Sequence, residues 1–338
     1  MLRSLFVLGV LACALALVGG ASGTKPASSS TAGLGSVFLP NPVADLQIQT
    51  LTDQKDSDAA VPARAYHDVT LTNLNGTGFL QGDWANVTSE TGNPAYSPSN
   101  TFRYTRSQDE FEQVMAYYWI TEAQNYIQRL GFGITRRPIN MESQDVRINQ
   151  WGADNSFSWD KHDLLRFGKG GVDDAEDAEV ILHEYGHAMM DSQQTPFGYG
   201  ASIESGSIGE GFADYWAATV SSVVAPTPDP ACIADWDSVS YTSTVPHCLR
   251  RVDTNLHYPE NLNGRVHHDG MIWSRALWDI RAALGSTVAD TIILQGMFDQ
   301  RDPTMPQLAQ NPVAAASSLY GAKAASATLK AFQARGIL

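Results

Sequence analysis

The sequence predicts an α+β protein whose strand signals lie ahead of residue 172 and whose later half is mainly helical. Three observations carry this reading. Residues 109–130 place Phe111, Val114, Met115, Tyr118, Ile120, Ile127 and Leu130 at helical spacing, and Gly131 follows as a stop. Residues 146–149 and 164–167 are short apolar runs of strand character. Residues 179–191 then read as a helix, with Asp173, Asp174, Glu176 and Asp177 crowding its first turns and no proline before Pro196.

The elements follow in chain order. Met1-Leu2-Arg3, an apolar run from Leu5 to Val18 and small residues to Gly23 form the three parts of a secretory signal peptide, so residues 1–23 are expected to be removed. The run is short for a membrane span, and Cys13 lies inside it, poorly placed for lipidation. Residues 24–60 are polar and aperiodic and read as an exposed, irregular leader. Asn75-Gly76 within residues 69–87 signals a hairpin. Asn75 and Asn86 also open glycosylation sequons. Towards the C-terminus, residues 271–338 read as helical, with an Ala-rich helix over 314–333.

Composition narrows the partners. The chain has 338 residues, 43% hydrophobic and 17% charged, which suffices for a large core in one or two domains. A formal charge of −14 argues against nucleic acid or an anionic membrane surface. With the signal removed, Cys232 and Cys248 remain, and an isolated pair in an exported chain reads as a disulfide across a polar loop.

The chemistry lies in two stretches. His183-Glu184-Tyr185-Gly186-His187 is an H-E-x-x-H motif. Four residues on a helix advance one turn and about 40°, so both imidazoles project from one face, as two ligands of a tetrahedral zinc require. Glu184 stands about 100° away, within reach of a water at that metal but poorly placed as a third ligand. The motif alone equally admits two hydrogen-bonded core histidines. In the second stretch, residues 204–216, Glu210 and Asp214 repeat the spacing. A Ser207 cap with Glu210 as its reciprocal partner accounts for Glu210 but leaves Asp214 unexplained. A liganding Glu210, with Asp214 one turn on to hold a histidine's second nitrogen, accounts for both.

H-E-Y-G-H followed by E-S-G-S-I-G-E-G-F-A-D resembles the signature of the thermolysin and fungalysin peptidases, the gluzincins, closer to a secreted fungalysin-like member; Asp191 matches a further shared position. The resemblance runs from about residue 40 to the C-terminus. It implies a two-lobed fold, residues 24–172 forming an N-terminal α/β lobe and residues 173–338 a mainly helical C-terminal lobe, with the zinc helix at the cleft. It implies one zinc per chain on His183, His187 and Glu210, with Glu184 as general base and Asp214 behind a histidine. Asn155 and Ser156 match the edge segment that holds the substrate backbone, with serine where alanine is usual. Tyr199 stands where a tyrosine donates to the tetrahedral intermediate, and His267 matches the transition-state histidine, placed in a loop before Met271; His268 does not match. Met271 stands where fungalysin-like chains have glutamate, and no calcium pattern is clear. The families also carry a long pro-segment, for which the stretch before residue 40 leaves no room. The expected protein is a secreted, monomeric zinc endopeptidase acting on proteins or peptides. Its rivals are a catalytically silent zinc-holding protein and a zinc amidase or esterase.

Overall fold

The computed structural model describes residues 31–89, 92–195 and 201–338. Residues 1–23, expected to be a signal peptide, and Tyr199 lie outside the described residues. The first strand, β1 (Thr31–Val37), corrects the expectation of an irregular leader: it is the central strand of a sheet ordered β2-β1-β4, antiparallel to β2 (His67–Leu74) and parallel to β4 (Thr101–Phe102). A short helix, α1 (Pro42–Leu46), follows β1. Tertiary packing made the difference. A Cβ on Gly35 would lie 2.9 Å from Val114 Cγ1, so glycines that look like loop signals instead let β1 press onto α2 (Glu110–Arg129).

The expected hairpin is also corrected. β2 leads into a turn, but β3 (Ala85–Ser89) joins a different sheet, and only isolated bridges such as Leu74↔Gly82 link the two arms. That second sheet runs β3-β5-β7-β6. β3, β5 (Gln144–Ile148) and β7 (Leu164–Arg166) are parallel, while β6 (Phe157–Trp159) lies antiparallel at the edge. Arg166 stacks its guanidinium over Trp151, Phe157 and Trp159, which stiffens that edge.

α2 forms as expected and buries Phe111, Val114, Met115, Trp119, Ile120 and Ile127 completely. Removing such side chains from water stabilises by about 1.5–3 kcal/mol each. The helix of the H-E-Y-G-H motif, α3 (Ala178–Ser192), packs between α2 and α4 (Ile203–Val224). It starts later than its acidic prelude suggests: Asp174–Glu176 form a 3₁₀ turn, and Asp177 caps α3 by accepting from the Glu179 N–H. α4 is capped by Ser202, so Ser207 is an interior residue and no cap involves Glu210. A two-stranded clip, β8 (Cys232–Ile233) with β9 (Arg250–Arg251), is closed by the Cys232–Cys248 disulfide. Helices α5 (Val266–Leu284), α6 (Ser286–Gly296), α7 (Met305–Tyr320) and α8 (Ala322–Ala334) finish the chain. The single Ala-rich helix is two helices, broken at Gly321, whose φ of +81° suits glycine. No described helix is long and apolar enough to cross a membrane.

Candidate active site

Three glycines bring α3, α4 and α5 close enough to share a site. A Cβ on Gly186 of the H-E-Y-G-H motif would stand 3.1 Å from Ala213 Cα. One on Gly211 would stand 2.2 Å from the Gly270 carbonyl oxygen, and one on Gly270 only 2.8 Å from that of Ser207. Larger residues would push the helices apart and separate the polar side chains that each carries.

Those side chains converge. His183 Nε2 and His187 Nε2 lie 3.2 Å apart with their rings nearly perpendicular at 85°. Glu210 Oε2 lies 3.2 Å from the first and 3.8 Å from the second. This oxygen is buried yet sits in no aligned hydrogen bond. Two imidazole nitrogens and an unpartnered carboxylate oxygen facing one another at these separations fit a shared cation, because donors about 2.0–2.1 Å from a tetrahedral ion stand ~3.3 Å apart. His267 Nε2 is 3.3 Å from the same oxygen. It sits in the first turn of α5, not in the loop the sequence suggested. His268 turns instead to Asp269.

Behind His183, Asp214 Oδ1 lies 2.9 Å from Nδ1, at ion-pair distance though off the line of an ideal N–H bond. Asp214 is held in turn by Arg250, Nε to Oδ2 at 2.6 Å and Nη2 to Oδ1 at 2.7 Å. The sequence reading missed Arg250. Nothing local marks it, since only the β8–β9 clip carries it under α4.

The charges respond to burial and to one another. Burial opposes a charged His183, but Asp214 and Glu210 outweigh it and hold the ring at about 10. Burial likewise opposes Asp214, but Arg250 and His183 bring it down to about 2. Glu210 is held well below the usual range, its desolvation overridden by the two histidines. Glu184, buried beside them, is pushed up chiefly by desolvation. Burial also pulls His267 below the ordinary imidazole value.

A cleft of about 250 Å³ opens over this cluster, lined by Asn155, Phe157, Glu184, His187, Glu210 and His267 among others. Asn155 and Ser156 are in the cleft wall, just ahead of β6, so the edge strand runs beside the cluster. The Ser156 hydroxyl is already engaged, donating to Asp174. Of the sequence-derived set, His183, Glu184, His187, Glu210, Asp214, His267, Asn155 and Ser156 are brought together, and Tyr199 is outside the described residues.

A family model described as fungalysin metallopeptidase (M36) matches residues 152–337, more than half of the chain. The chain belongs to this family. Being a fungalysin, it is a metalloendopeptidase with peptide substrates, and its family implies a metal among such residues. Among solved structures, the precursor of protealysin, a metalloproteinase from Serratia proteamaculans, is similar at a TM-score of 0.54 and 15% identity, over 76% of this chain and 86% of that one. That likeness shows the α+β fold of this fungalysin. A search of curated proteins returned no match.

Proposed function

We propose that the chain is a secreted, zinc-dependent endopeptidase in which His183, His187 and Glu210 hold one zinc and Glu184 is the general base. The observation that carries this reading is the convergence of two imidazole nitrogens and an unpartnered carboxylate oxygen beside Glu184, at the foot of an edge strand. When bound, zinc supplies Lewis-acid polarisation of a carbonyl and makes a water more acidic.

The remaining steps belong to the chain's own residues. A substrate strand adds to β6, and Asn155 holds its backbone, so peptides of varied sequence can bind. Glu184 takes the proton of the attacking water and passes it to the leaving amine. His267 donates to the oxygen that gains charge in the transition state. Asp214, anchored by Arg250, keeps His183 turned toward the metal. Tyr199 is a second candidate donor. The lobes of residues 24–172 and 173–338 flank the cleft. Residues 1–23 direct export, and the acidic chain works as a monomer without nucleic acid or membrane.

Casein hydrolysis tests the reading. Activity should require one equivalent of zinc, stop with a chelator and return on adding zinc back. A chain that holds zinc at one equivalent and leaves casein intact would be a silent zinc-holding protein or a zinc amidase or esterase, and the proposal would fail.

A further inference from the structure

Glu184 and His183 separate the cleft from a second cavity of about 310 Å³, which shares Asn155, Ser156, His183, Glu184 and His267 with it. Its far end is acidic. Carboxylate oxygens of Asp154, Asp174 and Asp237 lie within 4.8 Å of one another there. Part of this acidity is met: Tyr241 donates to Asp154 and Ser156 to Asp174. The other oxygen of Asp174 and one of Asp237 accept nothing, although these residues are only 2% and 3% exposed. The arginine in the wall, Arg250, is bound twice by Asp214. The rest of the wall includes the apolar Val180, Ile233, Ala234 and Leu249, and its remaining carboxylate, Glu179, already accepts from the Ser221 hydroxyl and the Ala234 N–H.

Taking the peptidase reading as its basis, we propose that this cavity receives the side chain of a residue beside the scissile bond and selects lysine or arginine there. The methylene stem lies along Val180, Ile233 and Leu249, and the charged head meets the two unpartnered oxygens of Asp174 and Asp237. An apolar side chain of the same length would cover those oxygens and leave them without a donor, the costliest arrangement for a buried polar atom. A divalent cation suits the place less well. Calcium takes six to eight oxygens, whereas here hydroxyls already occupy two carboxylates and the apolar side chains of the wall offer no oxygen. Desolvation, with neighbouring carboxylates adding to it, pushes Asp174 up to about 8 and Asp237 well above the usual carboxylate range, so an arriving cation would also restore their ionised forms. The serine at position 156 gains a reason: its hydroxyl fixes Asp174 at the junction of cleft and cavity.

The test compares kcat/KM of the zinc-loaded chain on peptides identical except for lysine, arginine, norleucine or glutamate next to the cut, with cleavage sites read by mass spectrometry. On one side of the cut, lysine and arginine should exceed norleucine by about 10- to 100-fold, as a charge-assisted pair implies. In the Asp174→Asn/Asp237→Asn chain that ratio should fall close to one. Each single variant should lower it part-way, which keeps the test readable if the double variant folds poorly. Norleucine cleaved as well as lysine by the unaltered chain would overturn the cavity's role and leave the peptidase reading standing. Cleavage of none of the peptides at full zinc occupancy would overturn both. Stoichiometric calcium binding that disappears in the double variant, without a lysine preference, would make the cavity a metal site and likewise overturn the proposal.

Discussion

At its middle turns α3 presents His183 and His187 to Glu210, Asp214 and Arg250, whereas around its start Asp173, Asp174, Glu176, Asp177 and Glu179 crowd against Asp235 and Asp237. Both regions bury several carboxyl groups, yet their protons behave in opposite ways. Around the histidines Glu210 and Asp214 are drawn down, Asp214 to about 2, because imidazole and guanidinium cations outweigh desolvation, whereas Glu184 is pushed up there by its burial. Around the helix start burial wins, and Asp173 rises to about 9, Asp235 to about 8 and Asp177 to about 6. Arg106 and the Trp236 N–H serve Glu176 there, and even that group is pushed up to about 7. Burying an acid therefore says nothing about its charge until its partners are counted. Glu210 and Asp214 give up their protons readily, whereas the acids around the helix start hold theirs. The β8–β9 segment touches both, since Arg250 grips Asp214 while the Ala234 N–H reaches Glu179 and those of Trp236 and Asp237 reach Asp177.

The largest expected effect lies on the histidine side. Glu184→Gln should keep zinc at one equivalent and lower kcat by about 100- to 10,000-fold, as removal of a general base does. Near-normal turnover would show that the cation region binds without catalysing through Glu184. His267→Ala should cost about 100- to 1,000-fold in kcat with zinc content and circular dichroism unchanged, because its contact matters only as charge develops. His268→Ala, whose ring faces Asp269, should do much less; equal losses would remove His267 from its place over the reacting oxygen.

The shared clip comes next. Reducing Cys232–Cys248, which are 16 residues apart, should destabilise by about 3 kcal/mol in the chain-entropy account. Urea melts of oxidised and reduced chain measure this, and an intact mass two hydrogens below the reduced one verifies the bridge. Coincident loss of zinc affinity would show that the clip supports both regions. Asp214→Ala should then weaken zinc binding about 10- to 100-fold through a misdirected His183; unchanged affinity in a competition titration would leave Asp214 and Arg250 a purely structural pair.

The effect that is smallest for each pH unit, and most gradual, belongs to the acidic end. Asp235 is neutral up to about 8 when folded, against about 3.9 in an unfolded chain. Between those values the folded state holds a proton that the unfolded state has released, so stability is present below the unfolded pKa and falls as pH rises, by at most ~1.4 kcal/mol per pH unit for this group. Asp235→Asn should flatten the fall in melting temperature between pH 5 and pH 8, compared with the parent chain in the same chelator. An unaltered slope would mean that Asp235 is ionised after all, and the contrast between the two regions would then rest on Asp173, Glu176 and Asp177.

The sequence by itself determined which polar side chains share a face on α3 and on α4, because that logic is local. A period of 3.6 residues puts His183 over His187 and Glu210 over Asp214 wherever those helices sit, and the glycines within the motifs let the helices meet. It likewise determined α2, the parallel strands β5 and β7, and the cysteine pairing, each signalled by spacing or by scarcity. Only the tertiary structure decided what depends on contacts across long separations. The Gly-rich β1 became a central strand because Val114, far along the chain, leaves room for no side chain at Gly35. Arg250 entered the site because a clip carried it there, and Asp174 and Asp237 became one acidic cavity although 60-odd residues of chain separate them. A carboxylate in a sequence is only a potential charge; whether it binds a cation, a proton or a substrate is fixed by the neighbours that folding supplies and the water that folding removes.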